Sequence, residues 1–422
     1  MSICLDNGLQ KCFVNGQIDS TNQLEGTQMH ESEPLPRTSI LSTGSAEMTP
    51  RERLLAALNG QETDRLPWSP FLAYWWEAQP EAFRNRGDIA FLQEIGADPL
   101  LRGGAQLYRV ETPGAESVET VAGNKKRTEI HTPVGNLGLE HTYVANGNTW
   151  FLTEHPVKTI EDMKILQWIN ERIRITPDMS GYAEARRKLG EDGLIIPIVG
   201  TYMKSSFQSL IEHWIGTEEL TYMLADDPEP VRECLAVMRM RSAETVVISA
   251  GSEAEAFIFW EDSSTTNLSP DWFSEYTAPE LTQWADLVHA QGKLLVHHAC
   301  GHLNDLLARM AATGIDAIES VSPPPTGNVE LWDARRKLPD HVGLVGGIEP
   351  TVFLQSTLPE LEAYVRNLFE KMGRRNWILA NSDSCPPGVS LEKFRLVTRL
   401  VRDFCCPHQR TQARHPPTGI GQ

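Results

Sequence analysis

The sequence predicts an α/β fold, a (β/α)8 TIM barrel carrying a β-hairpin insertion, on three observations. From residue 194 onward, apolar runs at 194–199, 256–260, 293–298, 315–319, 342–345 and 377–380 alternate with amphipathic stretches. Strands that alternate with amphipathic helices imply βαβ units and a parallel sheet. Two earlier candidate strands, at 66–71 and near 98–101, bring the count to eight, and no Gly-x-Gly-x-x-Gly turn follows the first of them, which disfavours a doubly wound sheet.

Taken in order, residues 1–47 are rich in Asn, Gln, Ser, Thr, Gly and Glu without an apolar period. Such a segment cannot bury enough surface to offset its ordering entropy and reads as a disordered extension ahead of a functional start near Met48. Order begins at Thr49-Pro50-Arg51-Glu52, with Thr49 as N-cap, Pro50 at N1 and Glu52 at N3 of a capping box before Leu54-Leu55-Ala56-Ala57-Leu58; Gly60 closes that helix. The strand at 66–71 runs into the aromatic cluster Trp68, Phe71, Tyr74, Trp75 and Trp76. Between about 110 and 154, alternating charges and Thr, Val, Gly and Asn predict inserted β-hairpins. A second capping box starts a helix at Thr159-Ile160-Glu161-Asp162, and the later helices are expected near 205–214, 228–249, 270–290, 303–313, 329–336, 358–371 and 391–404. The barrel is therefore expected over 48–406, followed by a polar tail at 407–422.

Of 422 residues, 41% are hydrophobic and 22% charged, enough apolar material for a large core. A formal charge of −18 argues against nucleic acid or an anionic membrane as partner. No apolar run reaches the ~20 residues that span a bilayer, and the first residues lack a basic-then-apolar signal pattern. Seven widely spread cysteines are not a disulfide framework and fit a reducing, cytoplasmic setting in which thiols are free for metal or catalysis.

The chemistry concentrates where strands should end. In His297-His298-Ala299-Cys300-Gly301-His302, strand alternation puts His298 and Cys300 on one side and His297 on the other. An imidazole and a thiol two apart are half of a zinc site, and Cys385, in Asp383-Ser384-Cys385 after the last apolar run, is the natural third ligand. In a barrel, reactive residues sit at the C-terminal ends of strands, which also selects Glu261, Asp262, Glu319 and the Gly346-Gly347-Ile348-Glu349 turn. Glu261 and Asp262 are candidates for catalysis, against a plain role as capping or loop carboxylates. Tyr74, Trp75 and Trp76, with Glu319, are candidates for lining a substrate pocket; for the aromatics, core packing is the equal alternative. His297 reads as a hydrogen-bonded core residue, His302 as an N-cap or first-turn residue, and Cys234 and Cys405 as packing. Cys406-Pro407-His408 lies in the polar tail and reads as no ligand pair.

These residues resemble the uroporphyrinogen decarboxylase superfamily, and within it the zinc-dependent corrinoid methyltransferase branch. The resemblance rests on the segment 49–60 with Asp64-Arg65-Leu66-Pro67, on Leu268-Ser269-Pro270, His298-Ala299-Cys300-Gly301-His302, Thr313-Gly314-Ile315-Asp316-Ala317-Ile318-Glu319, Gly346-Gly347-Ile348-Glu349-Pro350 and Pro386-Pro387-Gly388. It implies a TIM barrel, zinc on His298, Cys300 and Cys385, and methyl transfer between a small methylated donor or a thiol and a corrinoid (cobalamin) carried on a separate protein. Glu261 would be a displaceable fourth ligand or a nearby proton acceptor. The spacing around Cys385 departs from that of coenzyme M methyltransferases, which bears on a thiol substrate more than on the metal. The decarboxylases of this superfamily carry an Arg-Gln-Ala-Gly-Arg segment for substrate carboxylates, whereas here 69–77 reads Ser-Pro-Phe-Leu-Ala-Tyr-Trp-Trp-Glu, with no arginine. Decarboxylation in tetrapyrrole synthesis is the alternative, and a non-catalytic zinc or small-molecule binding protein a further one.

Overall fold

The structure, a computed structural model, describes residues 47–145 and 149–405; the expected extension, apart from Glu47, and the polar tail lie outside them. The strands in chain order are β1 (Leu100–Arg102), β2 (Tyr108–Glu111), β3 (Glu116–Ala122), β4 (Lys125–Thr132), β5 (Gly135–Val144) and β6 (Thr149–Glu154). They continue with β7 (Arg174–Pro177), β8 (Leu194–Ile196), β9 (Ala256–Glu261), β10 (Leu294–Ala299), β11 (Ala317–Val321), β12 (Gly343–Ile348) and β13 (Trp377–Asn381). Strands β9 to β13 form one parallel five-stranded ladder, each joined to the next through a helical crossover, as the alternating apolar text requires.

The remaining core strands are pieces rather than a continuation of that ladder. β1 pairs parallel with β8, and single parallel bridges join Ile198 to Ile258 and Trp68 to Leu379. The strand expected at 66–71 is reduced to the bridge at Trp68. Pro67 and Pro70 flank it, and neither has an N–H to give to a ladder. Backbone bonds from Asp98 N to the Trp68 carbonyl (2.7 Å) and from Leu379 N to the Pro67 carbonyl (2.9 Å) tie this segment to its neighbours.

Each face of these strands buries its own core. One side gathers Leu100, Ile196, Ile258, Trp260, Val296, Ala317, Val345 and Ile378, with Leu54, Ala57 and Leu58 of the first helix (Pro50–Leu58) packed against the same cluster. The other side faces the helices, and its core takes in Trp284, Leu281, Val365, Phe369 and Phe394. The expected helices form with adjusted ends: the 205–214 segment splits into Ser206–Ser209 and a π-helical turn at Leu210–Trp214, and 270–290 into Pro270–Trp272, a π-helical turn at Phe273–Thr277 and Ala278–His289. The helix expected from 303 starts at Leu307, so His302 lies in irregular chain and is no N-cap. Both expected capping boxes are present, at Thr49 with Glu52 and at Thr159 with Asp162.

The expected hairpin insertion is a four-stranded antiparallel sheet, β3-β4-β5-β6, with β2 pairing instead with β7 just beyond it. The Gly346-Gly347 pair is not a turn after β12 but part of it, at φ of 144° and 112°. A Cβ on Gly347 would stand 3.3 Å from both Leu331 and Trp377, and its φ of 112° is one that residues with a side chain rarely adopt, so glycine suits this place in the strand.

Candidate metal and substrate site

The side-chain parity of the parallel ladder decides which polar groups meet. Register pairs Trp260 with His298 and His298 with Glu319, so these three share the face turned away from the helices. Cys300, two residues past His298, lies to the same side. Glu261 is paired with Ala299 and is turned to the opposite face.

On the first face, His298 is 1% exposed and its Nδ1 bonds Glu319 Oε2 at 2.9 Å. The other Glu319 oxygen takes the Arg102 guanidinium in a buried ion pair. Arg102 also donates to the carbonyls of Leu100 and Ser69 and stands 5.0 Å over the Phe71 ring. Phe71 and Trp260 flank the imidazole at 6.1 and 6.2 Å between centroids. The Nε2 atom of His298 is buried without a hydrogen-bond partner. Burial alone would lower the His298 pKa, but the neighbouring Cys300 thiol and Glu319 carboxylate, helped by the charge of Asp383, hold it up at about 10. Glu319 moves the other way: burial would raise it, yet Arg102 and His298 keep it below the ordinary carboxylate range.

Strain gathers beside this group. Ser320, fully buried, has φ of 83°, and the β11–β12 register slips between Glu319 and Val321. A bulge of this kind re-aims the side chains next to it, here Glu319, and non-glycine residues hold such a φ only where the surroundings enforce it. The Ser320 hydroxyl supplies that enforcement by donating to the Ser382 carbonyl.

The structure separates the other expected site residues from this group. Cys385 does not join His298 and Cys300: its side chain is fully buried in the helix-side core. Its N–H donates to the Phe71 carbonyl at 2.9 Å and its carbonyl accepts from Trp75 N at 2.9 Å, which knits residues 385 and 71–75 together. Burial pushes its thiol well above the usual range, against the pull of the Lys393 charge. Among the described residues no three His, Cys, Asp or Glu side chains converge on a point where a metal could sit. Trp75 and Trp76 are not pocket walls but core aromatics: Trp75 stacks on Phe91 at 5.0 Å, meets Phe394 edge-on, and donates its indole N–H to the Val389 carbonyl. Trp76 packs in the same group against Phe83 and Phe91. Tyr74, between them in the helix Ala73–Glu77, is half-buried. Glu319, expected to touch substrate, is engaged by Arg102 and His298.

Glu261 sits in a second buried polar group on the helix side. It accepts from Ser205 N (2.8 Å), Ser263 Oγ (3.0 Å) and the His297 ring (3.1 Å), while His297 stacks on Phe259 as a core residue. Burial would raise Glu261, but His297 and Ser205 lower it. Nearby Glu280, bonded through Ser206 N and Oγ, is driven by burial to about 7. Asp262 is held by its backbone N–H to Glu212 and by Asn267 Nδ2 to its carboxylate, beside Gly301. Sequence reasoning passed over Arg102 and Trp260, and placed Phe71 in the aromatic cluster without giving it a site role. Arg102 had one legible signal, a lone cation in phase with Leu100 on a short apolar strand; the partner it finds 217 residues away was not legible.

The fold and this geometry frame the comparison with known proteins. The sequence profile of the family described as Uroporphyrinogen decarboxylase (URO-D) matches residues 49–404. The chain belongs to this family. Within it, the chain is 25% identical over 342 residues to the methylcobamide:CoM methyltransferase MtbA of Methanosarcina mazei, covering 74% of this chain and 86% of the relative. It is 23% identical over 347 residues to the methylcobamide:CoM methyltransferase MtaA of Methanosarcina barkeri, covering 77% and 90%. The chloroplastic uroporphyrinogen decarboxylase of Nicotiana tabacum is 28% identical over 171 residues, only 40% of this chain and 41% of that protein. A solved methyltransferase from Methanosarcina mazei shares the fold, with a TM-score of 0.57 at 17% identity over 85% of this chain and 99% of its own. The two methyltransferase relatives are matched over most of their length, the decarboxylase over less than half of its own. No helix among the described residues is long and apolar enough to cross a membrane.

Proposed function

We propose that this protein is a zinc-dependent methyltransferase that moves a methyl group between a small methylated compound, or a thiol, and a corrinoid carried on a partner protein. We read the eight core strand segments as a TIM barrel whose strand carboxyl ends hold the site. One observation carries the reading: a buried imidazole whose Nδ1 is fixed by a carboxylate and whose Nε2 has no partner, beside a thiol on the same face. Metal-binding histidines are set in this way, with the second nitrogen bonded to a carboxylate that fixes the ring. The donor chemistry at His298 and Cys300 therefore fits zinc, although the described residues do not show a closed ligand set.

When bound there, zinc would supply Lewis acidity, stabilising a thiolate or polarising an ether oxygen. The chain's own residues prepare for that chemistry. Arg102 neutralises Glu319 and fixes its position; Glu319 fixes the His298 ring; Phe71 and Trp260 exclude water from one side of it and offer an apolar surface suited to a methyl group. The absence of arginines in 69–77 disfavours a substrate with many carboxylates.

Two assays test the reading. Zinc-loaded protein should demethylate methylcobalamin with a thiol, or methylate cob(I)alamin from a methyl ether, followed by the cobalt absorbance. His298→Ala should abolish either exchange. Turnover of uroporphyrinogen with no corrinoid exchange from any donor would overturn it in favour of the decarboxylase.

A further inference from the structure

Cys300 stands one residue past β10, and the contacts that fix it there come from the loop after β9. The peptide joining Glu261 to Asp262 is engaged at both ends. Its carbonyl accepts from Cys300 N at 3.2 Å and from Cys300 Sγ at 3.6 Å. Its N–H donates to Glu212 Oε1 at 2.9 Å. The next peptide is gripped from the same side: the Asp262 carbonyl accepts from Gln208 Nε2 at 2.8 Å, and that amide also donates to Glu212 Oε1 at 2.9 Å. Farther along, Ser264 Oγ accepts from His302 N and the His302 carbonyl from Thr265 N, each at 3.0 Å. Between these two seams Gly301 has φ of 89°, and a Cβ there would stand 2.5 Å from Ser264 Cβ and 3.1 Å from Asp262 Oδ1. Residues 261–265 therefore pack directly against Cys300-Gly301-His302, and Cys300 is 5% exposed.

Glu212 reaches this loop from the π-helical turn Leu210–Trp214, closed by Ile215 N to the Leu210 carbonyl at 2.8 Å. Turns of this kind interrupt helices frequently at functional sites. Here the turn carries Glu212 to the 261–262 peptide, while Lys204, 2% exposed, pairs with the other carboxylate oxygen. A carboxylate holds the Asp262 N–H more firmly than a neutral acceptor, because charge-assisted hydrogen bonds are the stronger class.

We propose that Glu212 is a positioning residue for Cys300: by way of the 261–262 peptide it latches the loop after β9 against the thiol, and it does not touch the reacting groups itself. As a part of catalysis the latch rests on the methyltransferase reading above. As a contact within the protein it stands without metal, and it is testable without metal.

The full-length protein, stripped of metal by a chelator, is alkylated with iodoacetamide at fixed pH, and the rate at each cysteine is followed by mass spectrometry. Lys204→Met removes the buried cation but leaves Glu212 Oε1 to accept from Asp262 N, so Cys300 should react as in the wild type. Lys204→Met/Glu212→Met also removes that acceptor, and it replaces the ion pair by apolar groups, an exchange that buried pairs often tolerate. Cys300 should then react at least about tenfold faster, the scale on which losing a hydrogen bond to a charged group acts. The buried Cys234 and Cys385 should keep their wild-type rates. Gln208→Met, which frees the Asp262 carbonyl without touching the ion pair, should give a smaller rise, again confined to Cys300. An unchanged Cys300 rate in both the double variant and Gln208→Met, or a rise shared by Cys234 and Cys385, would overturn the latch. With zinc added, chelator competition should show the double variant binding about tenfold more weakly than Lys204→Met, as loss of an outer partner does. Wild-type protein that takes up no zinc would remove the metal reading and leave the latch to be decided by the alkylation rates.

Discussion

Glu319 is held between two cationic groups in a place that water does not reach. Burial raises the cost of every charge there, and the Arg102–Glu319–His298 chain meets it only as a complete set. Removing one member leaves an uncompensated charge, so Arg102→Met should lower stability by about 3–5 kcal/mol, read from denaturant midpoints. Glu319→Gln keeps the shape and removes the charge; it should cost less stability but loosen zinc about 10–100-fold, measured by chelator competition. At this scale the sequence was partly readable. His298 and Cys300 share a face because strand parity is local, and that much follows from two residue numbers. Cys385 lies four residues beyond the end of β13, against one for Cys300 after β10, and its place depended on backbone bonds to Phe71 and Trp75, more than 300 residues earlier. Tyr74, Trp75 and Trp76 show the same limit, since an aromatic run fits a pocket wall and a core equally well until its neighbours are known.

Helix starts were legible because a capping box is written in four consecutive residues. At the first helix, the Thr49 hydroxyl accepts from Glu52 N at 3.2 Å and the Glu52 carboxylate from Thr49 N at 2.9 Å. Thr49→Ala should cost about 1 kcal/mol in thermal or chemical unfolding. The same helix is pinned by Arg53, 2% exposed, which bonds Asp64 at 2.6 Å and Asp98 at 2.5 Å. The motif at 49–65 is therefore a clamp holding the first helix under the strands, and its role is structural. Interruptions within elements were not legible. Proline at 67 and 70 reduces an expected strand to one bridge, and glycine at 346 and 347 continues a strand where a turn was expected. The helix Ala278–His289 carries a separate consequence in Glu280. Its folded pKa of about 7 exceeds the unfolded value near 4.5, so the folded state binds its proton more tightly. Its contribution is harmless below pH 4.5 and destabilising as pH rises through 7, by up to about 3 kcal/mol. Glu280→Gln should flatten the fall in melting temperature between pH 5 and 8; an unchanged slope would show that Glu261, His297 or Arg239 around it dominates instead.

For the whole molecule, the periodic alternation after residue 194 predicts six parallel strands with their crossovers; five of them, β9 to β13, form one ladder, and β8 pairs with β1. It could not say how the first third of the chain joins them, because β1 and β8 are three residues each and pair with one another, and only single bridges at Ile198 and Trp68 link that part to the ladder. The hairpin sheet was anticipated from composition, but β2 leaves it to pair with β7, a strand the apolar pattern did not disclose. The chain belongs to the uroporphyrinogen decarboxylase family and, at 25% and 23% identity, is similar over most of its length to two members named as methyltransferases. What the whole account depends on is a metal at His298 and Cys300. The most direct measurement is the zinc content of the full-length protein purified without chelators, beside that of Cys300→Ser. The account predicts about one zinc per chain in the wild type and a loss of most of it in Cys300→Ser with the melting transition retained. Equal zinc in both proteins, or wild-type protein that transfers methyl groups to a corrinoid without any metal, would contradict it.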